Sequence, residues 1–323
     1  MALTVNATRL VAVCVAALCA LGCRPAARAQ TAPVRVRFST GTPGGGFYPL
    51  GEALAHAYER SLEAVDFQIH PSAGAVANVE AIQRGDADLG FAFADVAYVA
   101  YVSRLAGASG PFDRLRGIAV LQLTPVQLVV RRDPRIREVA DLRGRRIGVG
   151  PPGSGTALTA GLVLGAFGIA AASVQAETLQ FNDAADRLVR GTLDAMFDAA
   201  IYPAESVMAA TRAGARIMPL TGAPIERLRR DYPFLRVTVI PRHTYPGMNQ
   251  AIRTIGVDSL LICRRDLDET LVYDLTRRFF DALPSLSSSM GALRFMDIEQ
   301  APATPIPLHD GAARFYRERE LLR

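Results

Sequence analysis

The sequence predicts an α/β protein in which two lobes of similar βαβ build face each other across a central cleft. Two motifs carry this prediction, because each occurs twice and in the same order. The pattern G-x-P-G-x-G occupies residues 41–46 and 150–155, each time between a predicted strand and a predicted helix. The pattern R-G-x-x-D follows at 84–88 and at 190–194. Recurrence of both motifs at nearly the same spacing indicates a duplicated unit.

The first copy of the unit begins with a strand over Val34–Phe38, where apolar and charged residues alternate. A helix with one apolar face starts at about Pro49, directly after the glycine loop. A strand over Asp66–His70, a helix over Ala75–Arg84 and a strand over Leu89–Phe93 complete this copy. In units of this kind, each glycine loop lies at the carboxyl end of a strand, where α/β proteins bind ligands.

The second copy has a strand at Arg146–Val149, a helix that runs to Phe167 and a strand at Asp194–Phe197. Two lobes formed from one chain require two crossings, and we expect crossover strands at Leu121–Arg131 and Ile255–Cys263.

The C-terminal stretch is expected to return to the first lobe, with helices near Glu269–Leu283 and Ala312–Leu322. These assignments place residues 34–124 and 255–323 in lobe 1, and residues 125–254 in lobe 2. At 323 residues, the chain is long enough for two such lobes.

Residues 1–29 have the pattern of a signal peptide, and we expect a periplasmic protein. Arg9 precedes twelve apolar residues, Leu10–Leu21, which are too few to span a bilayer. Cleavage after Ala29 is favoured, because Ala27-Arg28-Ala29 is a small-x-small site. The alternative is an imperfect lipobox that ends at Cys23 and would anchor the chain by lipid.

The net charge of +5 does not indicate nucleic-acid binding. All 36 basic residues are arginines, since the sequence contains no lysine. They are scattered and mostly lie near Asp or Glu, without the aromatic-interleaved basic clusters that single-stranded nucleic acid requires. We therefore interpret them as a solvated surface.

The two glycine loops are the main candidate ligand site. Backbone N–H groups at the start of a helix, with the helix dipole, bind anions. Each loop taken alone could be a plain tight turn, and the repetition favours the site. Residues 148–153 also fit G-x-G-x-x-G, but Pro151 and Pro152 remove amide donors that a dinucleotide would need. Added bulk at either loop, such as Gly46→Val or Gly155→Val, is expected to weaken binding.

Other residue types near the predicted strand ends complete the candidate site. The hydroxyl side chains could cap a helix or contact the ligand. The carboxylates could bind an amine of the ligand or cap a helix. The aromatic side chains could line a pocket or pack in the core. The full set of candidate ligand-binding residues is Thr40, Gly45, Gly46, Phe47, Tyr48, Ser72, Ala73, Gly74, Asp95, Ser154, Gly155, Thr156, Asp198 and Tyr202.

The sequence does not indicate catalysis, and we expect no metal and no cofactor. The four histidines lack metal-ligand spacing. Ser154 lacks the preceding glycine of a nucleophile elbow. Cys263 lies in an apolar strand and is expected to be a core residue.

The order of the motifs resembles the TAXI-type solute receptors of TRAP transporters over essentially the whole mature chain. The similar segments are T-G at 40–41, G-F-Y-P-L-G at 46–51, S-A-G-A at 72–75 with Asn78, D-V-A-Y at 95–98, D-L-R-G at 141–144, G-S-G-T at 153–156, Y-P-G at 245–247, and P-I-P-L-H-D-G-A at 305–312 with Tyr316. Members often have two tyrosines where this chain has Phe47-Tyr48, so one hydroxyl is missing from that wall.

This resemblance implies a type II periplasmic-binding-protein fold, with two crossover strands and a ligand held between the lobes. The implied ligand is a small organic anion, either an amino acid such as glutamate or a dicarboxylate. The implied partner is an ion-gradient-driven TRAP permease in the membrane, and the receptor is expected to be a monomer. Two alternatives remain open: a sensing adaptor for a membrane kinase, and an enzyme on the same scaffold.

The leader gives a direct prediction about the mature chain. Intact mass of protein from the envelope fraction should correspond to a chain that starts at Gln30, or at a lipidated Cys23. A cytoplasmic chain that retains Met1 would contradict export.

Overall fold

The computed structural model describes residues 33–42, 46–62, 64–102, 105–289 and 293–322. The predicted signal peptide, including Cys23, and the candidate Gly45 lie outside these residues. The strands are β1 Val34–Ser39, β2 Val65–His70, β3 Leu89–Phe93, β4 Leu115–Val130, β5 Arg146–Gly150, β6 Gln175–Thr178, β7 Ala195–Ala199, β8 Arg216–Met218, β9 Leu235–Ile240 and β10 Ile252–Arg264.

The α-helices alternate with these strands, as the sequence predicts. They are α1 Phe47–Glu59, α2 Ala75–Arg84, α3 Ala94–Tyr101, α4 Gly155–Ala166, α5 Phe181–Val189, α6 Glu205–Arg212, α7 Ala223–Asp231, α8 Glu269–Ser289 and α9 Asp310–Glu318. Short 3₁₀ turns lie at Val139–Leu142, Ala171–Ser173 and Leu293–Phe295. Within the described residues, no helix is both long and apolar enough to cross a membrane.

The strand order repeats the duplicated unit that the motifs indicate. In the first half, β1 pairs in parallel with β2 and β3. In the second half, β5 pairs in parallel with β6 and β7. The third strand of each half then pairs antiparallel with a long crossover strand: β3 with β10, and β7 with β4. The predicted α/β architecture with two crossover strands is confirmed.

The two crossover strands join the halves by pairing with each other. They run antiparallel from Pro125 opposite Gly256 to Leu115 opposite Arg264. Beyond Pro125, the last five residues of β4 pair with β7 instead. The predicted boundaries between the lobes remain predictions, since each crossover strand belongs to more than one pairing.

The C-terminal helices pack on the first half, as expected. One apolar cluster joins Val36 and Phe38 of β1 to Phe279 of α8 and Phe315 of α9. Cys263 is fully buried in the same cluster, so its predicted place in the core is confirmed.

The same ion-pair arrangement occurs in each half of the repeat. Asp88 accepts hydrogen bonds from the Nε and backbone N–H of Arg37 on β1, at 2.9 and 3.0 Å. Asp194 accepts the same two bonds from Arg146 on β5, at 3.3 and 3.0 Å. These two acidic residues are the Asp of the R-G-x-x-D motif, so that motif fixes the third strand of each half to the first.

Candidate ligand cavity between the lobes

A cavity of about 460 Å³ lies between the two halves of the molecule. Both glycine loops contribute to it: Gly41 and Gly46 on one side, Ser154 and Gly155 on the other. Its floor comes from the crossover strands, through the side chains Gln122, Thr124 and Ser259. The structure thus brings the two repeated loops to one enclosed space, as the duplication predicts.

Eight of the predicted site residues line this cavity. On the first half these are Gly46, Phe47, Ala73 and Gly74, and on the second half Ser154, Gly155, Thr156 and Asp198. Their roles in binding remain predictions.

Thr40 and Ser72, which were predicted as site residues, do not line the cavity, because both serve a buried network around Asn78. The Asn78 amide nitrogen donates to the Thr40 carbonyl at 2.7 Å, and Ser72 Oγ donates to Asn78 Oδ1 at 2.6 Å. Ser39 Oγ adds a further bond to Oδ1 at 2.7 Å. This network holds the loop that presents Ala73 and Gly74 to the cavity.

Tyr48 and Tyr202 also lie away from the cavity lining. A hydrogen bond to Glu52 raises the pKa of the Tyr48 hydroxyl, which is on the solvent-facing side of α1. Tyr202 packs against the apolar cluster of the second half. Sequence spacing placed both beside the loops, but it does not determine the direction in which a side chain points.

Asp95 bonds across the lobes instead of facing the cavity. It lies at the start of α3 and is fully buried. Its Oδ1 accepts from the Val96 N–H at 2.8 Å, and its Oδ2 accepts from Thr159 Oγ1 of α4 at 2.5 Å. Both oxygens therefore have protein partners, although burial raises the pKa of the carboxyl to about 6.

The N-terminus of α2 is occupied by the second glycine loop. The N–H groups of Val76 and Ala77 donate to the Gly153 carbonyl at 3.1 and 3.3 Å. Gly74, which precedes this helix, has φ +123°, and a Cβ there would lie 3.4 Å from Ser154 Cα. These contacts join the lobes directly, so this helix end does not present those amides to a ligand.

The N-terminus of α4 also lies at the cavity. Ser154 caps it, accepting the Ala157 N–H at 3.3 Å. The amides of Gly155 and Thr156 have no partner within the helix, because the first turn has no preceding carbonyls. The predicted capping role of Ser154 is therefore confirmed. Gly155 and Thr156 both line the cavity, so their amides lie beside it.

Two buried polar atoms in the cavity wall lack partners among the described residues. They are Oδ1 of Asp198 and Oε1 of Gln122. Asp198 is 1% exposed, and its other oxygen accepts from Ser206 Oγ at 2.5 Å. Burial raises the pKa of the Asp198 carboxyl to about 6. Unpartnered buried polar atoms are costly, so these two are candidate contacts for a ligand.

Gln122, Thr124 and Ser259 were not predicted from the sequence. They lie on the crossover strands, and Thr124 Oγ1 is 2.9 Å from Ser259 Oγ. Their place in the cavity depends on the pairing of two segments that are far apart in the chain, and no local motif reveals that pairing.

The wall of the second half is fixed by Gln127 and Tyr245. The Tyr245 hydroxyl donates to Gln127 Oε1 at 2.7 Å and accepts the Ala204 N–H at 2.9 Å. Gln127 also donates to the Ala200 carbonyl at 3.0 Å. The segment between Ala200 and Ala204 is therefore held in place where it lines the cavity.

The sequence pattern of the NMT1-like family matches residues 38–319. This chain belongs to the NMT1-like family. Among solved structures, it is similar to MatC (Rpa3494) from Rhodopseudomonas palustris with bound malate, at 16% identity and a TM-score of 0.56, over 90% of this chain and 100% of that chain.

XAC2383 from Xanthomonas citri is similar at 12% identity. Its chloride-bound structure gives a TM-score of 0.55 over 88% of this chain and 99% of that chain. Its ATP-bound structure gives a TM-score of 0.54 over 90% of this chain and 99% of that chain. At these identities the likeness shows the fold alone. The predicted type II periplasmic-binding-protein fold is confirmed.

Closure of the cleft should depend on the absence of a side chain at Gly155. A Cβ there would lie 2.3 Å from the ring of Phe93, which belongs to the opposite lobe. Gly155→Ala should therefore hold the lobes apart and weaken ligand binding by about tenfold or more, as measured by calorimetry together with small-angle scattering.

Gly161→Ala is the matched control, because Gly161 is an exposed residue of the same helix and a Cβ there meets nothing within 4 Å. The expectation that added bulk at the first loop also weakens binding remains a prediction. Phe93→Leu combined with Gly155→Ala should restore part of the affinity. Wild-type binding and compaction in Gly155→Ala alone would show that this contact does not limit closure.

Asp198→Asn should stabilise the unliganded protein at neutral pH. The pKa of Asp198 in the folded protein, about 6, lies above the usual value of 3.8 for an aspartate, so the cost of ionising the buried carboxyl appears as pH rises through this window. Denaturant unfolding should show a gain of about 1–3 kcal/mol at pH ~7.5 and little gain at pH ~4. Equal gains in stability at both pH values would show that the effect comes from packing and not from ionisation.

Proposed function

We propose that this protein is an extracytoplasmic solute-binding receptor that captures a small carboxylate-bearing ligand between its lobes. The observation that carries the proposal is the single cavity lined by both repeated glycine loops. A ligand that touches both loops stabilises the closed arrangement, since some of its contacts form only when both walls are present. The amides of Gly155 and Thr156 at the start of α4 bind the carboxylate of the ligand.

The binding role is supported by what surrounds the cavity. Membership of the NMT1-like family and the fold shared with malate-bound MatC agree with a receptor for a small acid. Within the described residues, no group of three or more His, Cys, Asp or Glu could hold a metal ion. Ser154 caps α4, and none of the described residues that line the cavity is a His that could activate it.

The resemblance to TAXI-type receptors supports a finer proposal. The protein would act in the periplasm as a monomer and deliver its ligand to a TRAP permease. Y-P-G at 245–247 and S-A-G-A at 72–75 are part of that resemblance, and in this fold both support the cavity walls. Reconstitution with a candidate permease in liposomes tests delivery: uptake should require both the receptor and an imposed ion gradient.

The protein should first be unfolded and refolded, so that it carries no retained ligand. Adding the ligand should then raise its melting temperature. Saturation at about 100 times the Kd adds about 2.7 kcal/mol of stability. Small-angle scattering should show compaction with the same ligand, and mass spectrometry should recover it unchanged. No shift with any amino acid or organic acid would contradict the receptor proposal, and a chemically altered ligand would indicate an enzyme.

A further inference from the structure

The charged residues of the cavity restrict the ligands that it accepts. Among the described residues that line it, only Asp198 and Glu205 are charged, and both are acidic. Glu205 is exposed, whereas Asp198 is buried. No described lining residue is Arg or His, and the sequence has no Lys. A second carboxylate on a ligand would therefore have no counter-ion, and it would lie in a cavity that already holds a carboxylate.

The buried carboxylate of Asp198 is only partly hydrogen-bonded within the protein. Ser206 donates to Oδ2, while Oδ1 has no partner among the described residues. A buried carboxylate with an open oxygen is best satisfied by a cation that donates hydrogen bonds. A primary ammonium group on the ligand provides both.

Asp198 and the first turn of α4 belong to the same cavity wall. Asp198 lies on β7, which pairs in parallel with β5, and the chain runs from the end of β5 through the second glycine loop into α4. Asp198, Gly155 and Thr156 all line the cavity, and the amides of Gly155 and Thr156 have no partner within the helix. A ligand that carries a positive and a negative group close together would match this arrangement.

Apart from Asp198 and Glu205, the described residues that line the cavity are uncharged. Three phenylalanines, Phe47, Phe93 and Phe181, line it. Gln122 contributes a neutral amide whose Oε1 has no partner among the described residues. The part of the ligand that projects from the α4 end therefore meets apolar rings and neutral hydrogen-bonding groups.

We infer that the ligand is an α-amino acid with an uncharged side chain. Its ammonium group binds Asp198, and its carboxylate binds the first-turn amides of α4. This inference rests on the proposed receptor function and specifies its ligand. It excludes dicarboxylates such as malate, and also glutamate, because each would bring a second carboxylate into a cavity without a cation.

The experiment compares ligands that differ in one group. Refolded protein is titrated by calorimetry with leucine, phenylalanine, glutamine and serine, with the 2-hydroxy acid analogue of each, and with glutamate, malate and succinate. At least one uncharged amino acid should bind about thirtyfold or more tightly than its 2-hydroxy analogue. It should exceed glutamate and both dicarboxylates by a similar factor.

Asp198→Asn tests the role of the carboxylate. It should weaken binding of the best amino acid about thirtyfold or more, while the affinity for its 2-hydroxy analogue changes by less than about threefold. Misfolding would weaken both ligands alike. Glu205→Gln is the matched control, since it removes the same charge from an exposed position, and its effect should be about tenfold smaller.

The outcomes separate this inference from the proposed function. If a 2-hydroxy acid, glutamate or a dicarboxylate binds as tightly as the best amino acid, the inference is wrong and the receptor proposal stands. Equal losses for both ligands in an Asp198→Asn protein that unfolds as cooperatively as wild type would also overturn it. If none of the compounds binds, both proposals fail.

Discussion

The antiparallel pairing of β4 and β10 is the interaction on which the rest of the molecule depends. It connects the two halves, and it carries Gln122, Thr124 and Ser259 into the floor of the cavity. Ion pairs fix the C-terminal end of each strand. Arg264, at the end of β10, lies 3.0 Å from Asp88, and Arg131, just beyond β4, lies 2.9 Å from Asp194. A change in this pairing would displace the cavity floor and would also change the orientation of the two lobes.

These ion pairs give a physical reason for the repeat that the sequence shows. Arginines hold the pKa of Asp88 and of Asp194 below the usual range, despite the opposing effect of partial burial. Each carboxylate receives one arginine from the first strand of its own half and one from a crossover strand. The recurring R-G-x-x-D motif is thus structural: it fixes each βαβ unit to a crossover strand and contributes nothing to the cavity directly.

Local patterns predicted the elements that carry the repeated motifs, because alternation, glycine loops and helix caps are written in consecutive residues. They gave no bounds for β6, β8, β9, α6 and α7. Strand Leu89–Phe93 and helix Ala75–Arg84 have the bounds that the sequence predicts, and others differ by a few residues. The cavity was predicted only in part. Tyr48 and Tyr202 were chosen by their spacing from the loops, whereas side-chain direction depends on tertiary packing. Gln122 was missed because its position requires the register between two distant strands.

The two buried carboxylates near the cleft are satisfied in different ways. Asp95 at the start of α3 and Asp198 on β7 are both fully buried, and burial raises the pKa of each to about 6. Asp95 has both oxygens satisfied, one of them by Thr159 of the other half, so its contact exists only when the halves meet. Asp198 keeps an oxygen without a partner among the described residues. Asp95 therefore stabilises the contact between the halves, whereas Asp198 is the carboxylate that the proposed ammonium group would satisfy.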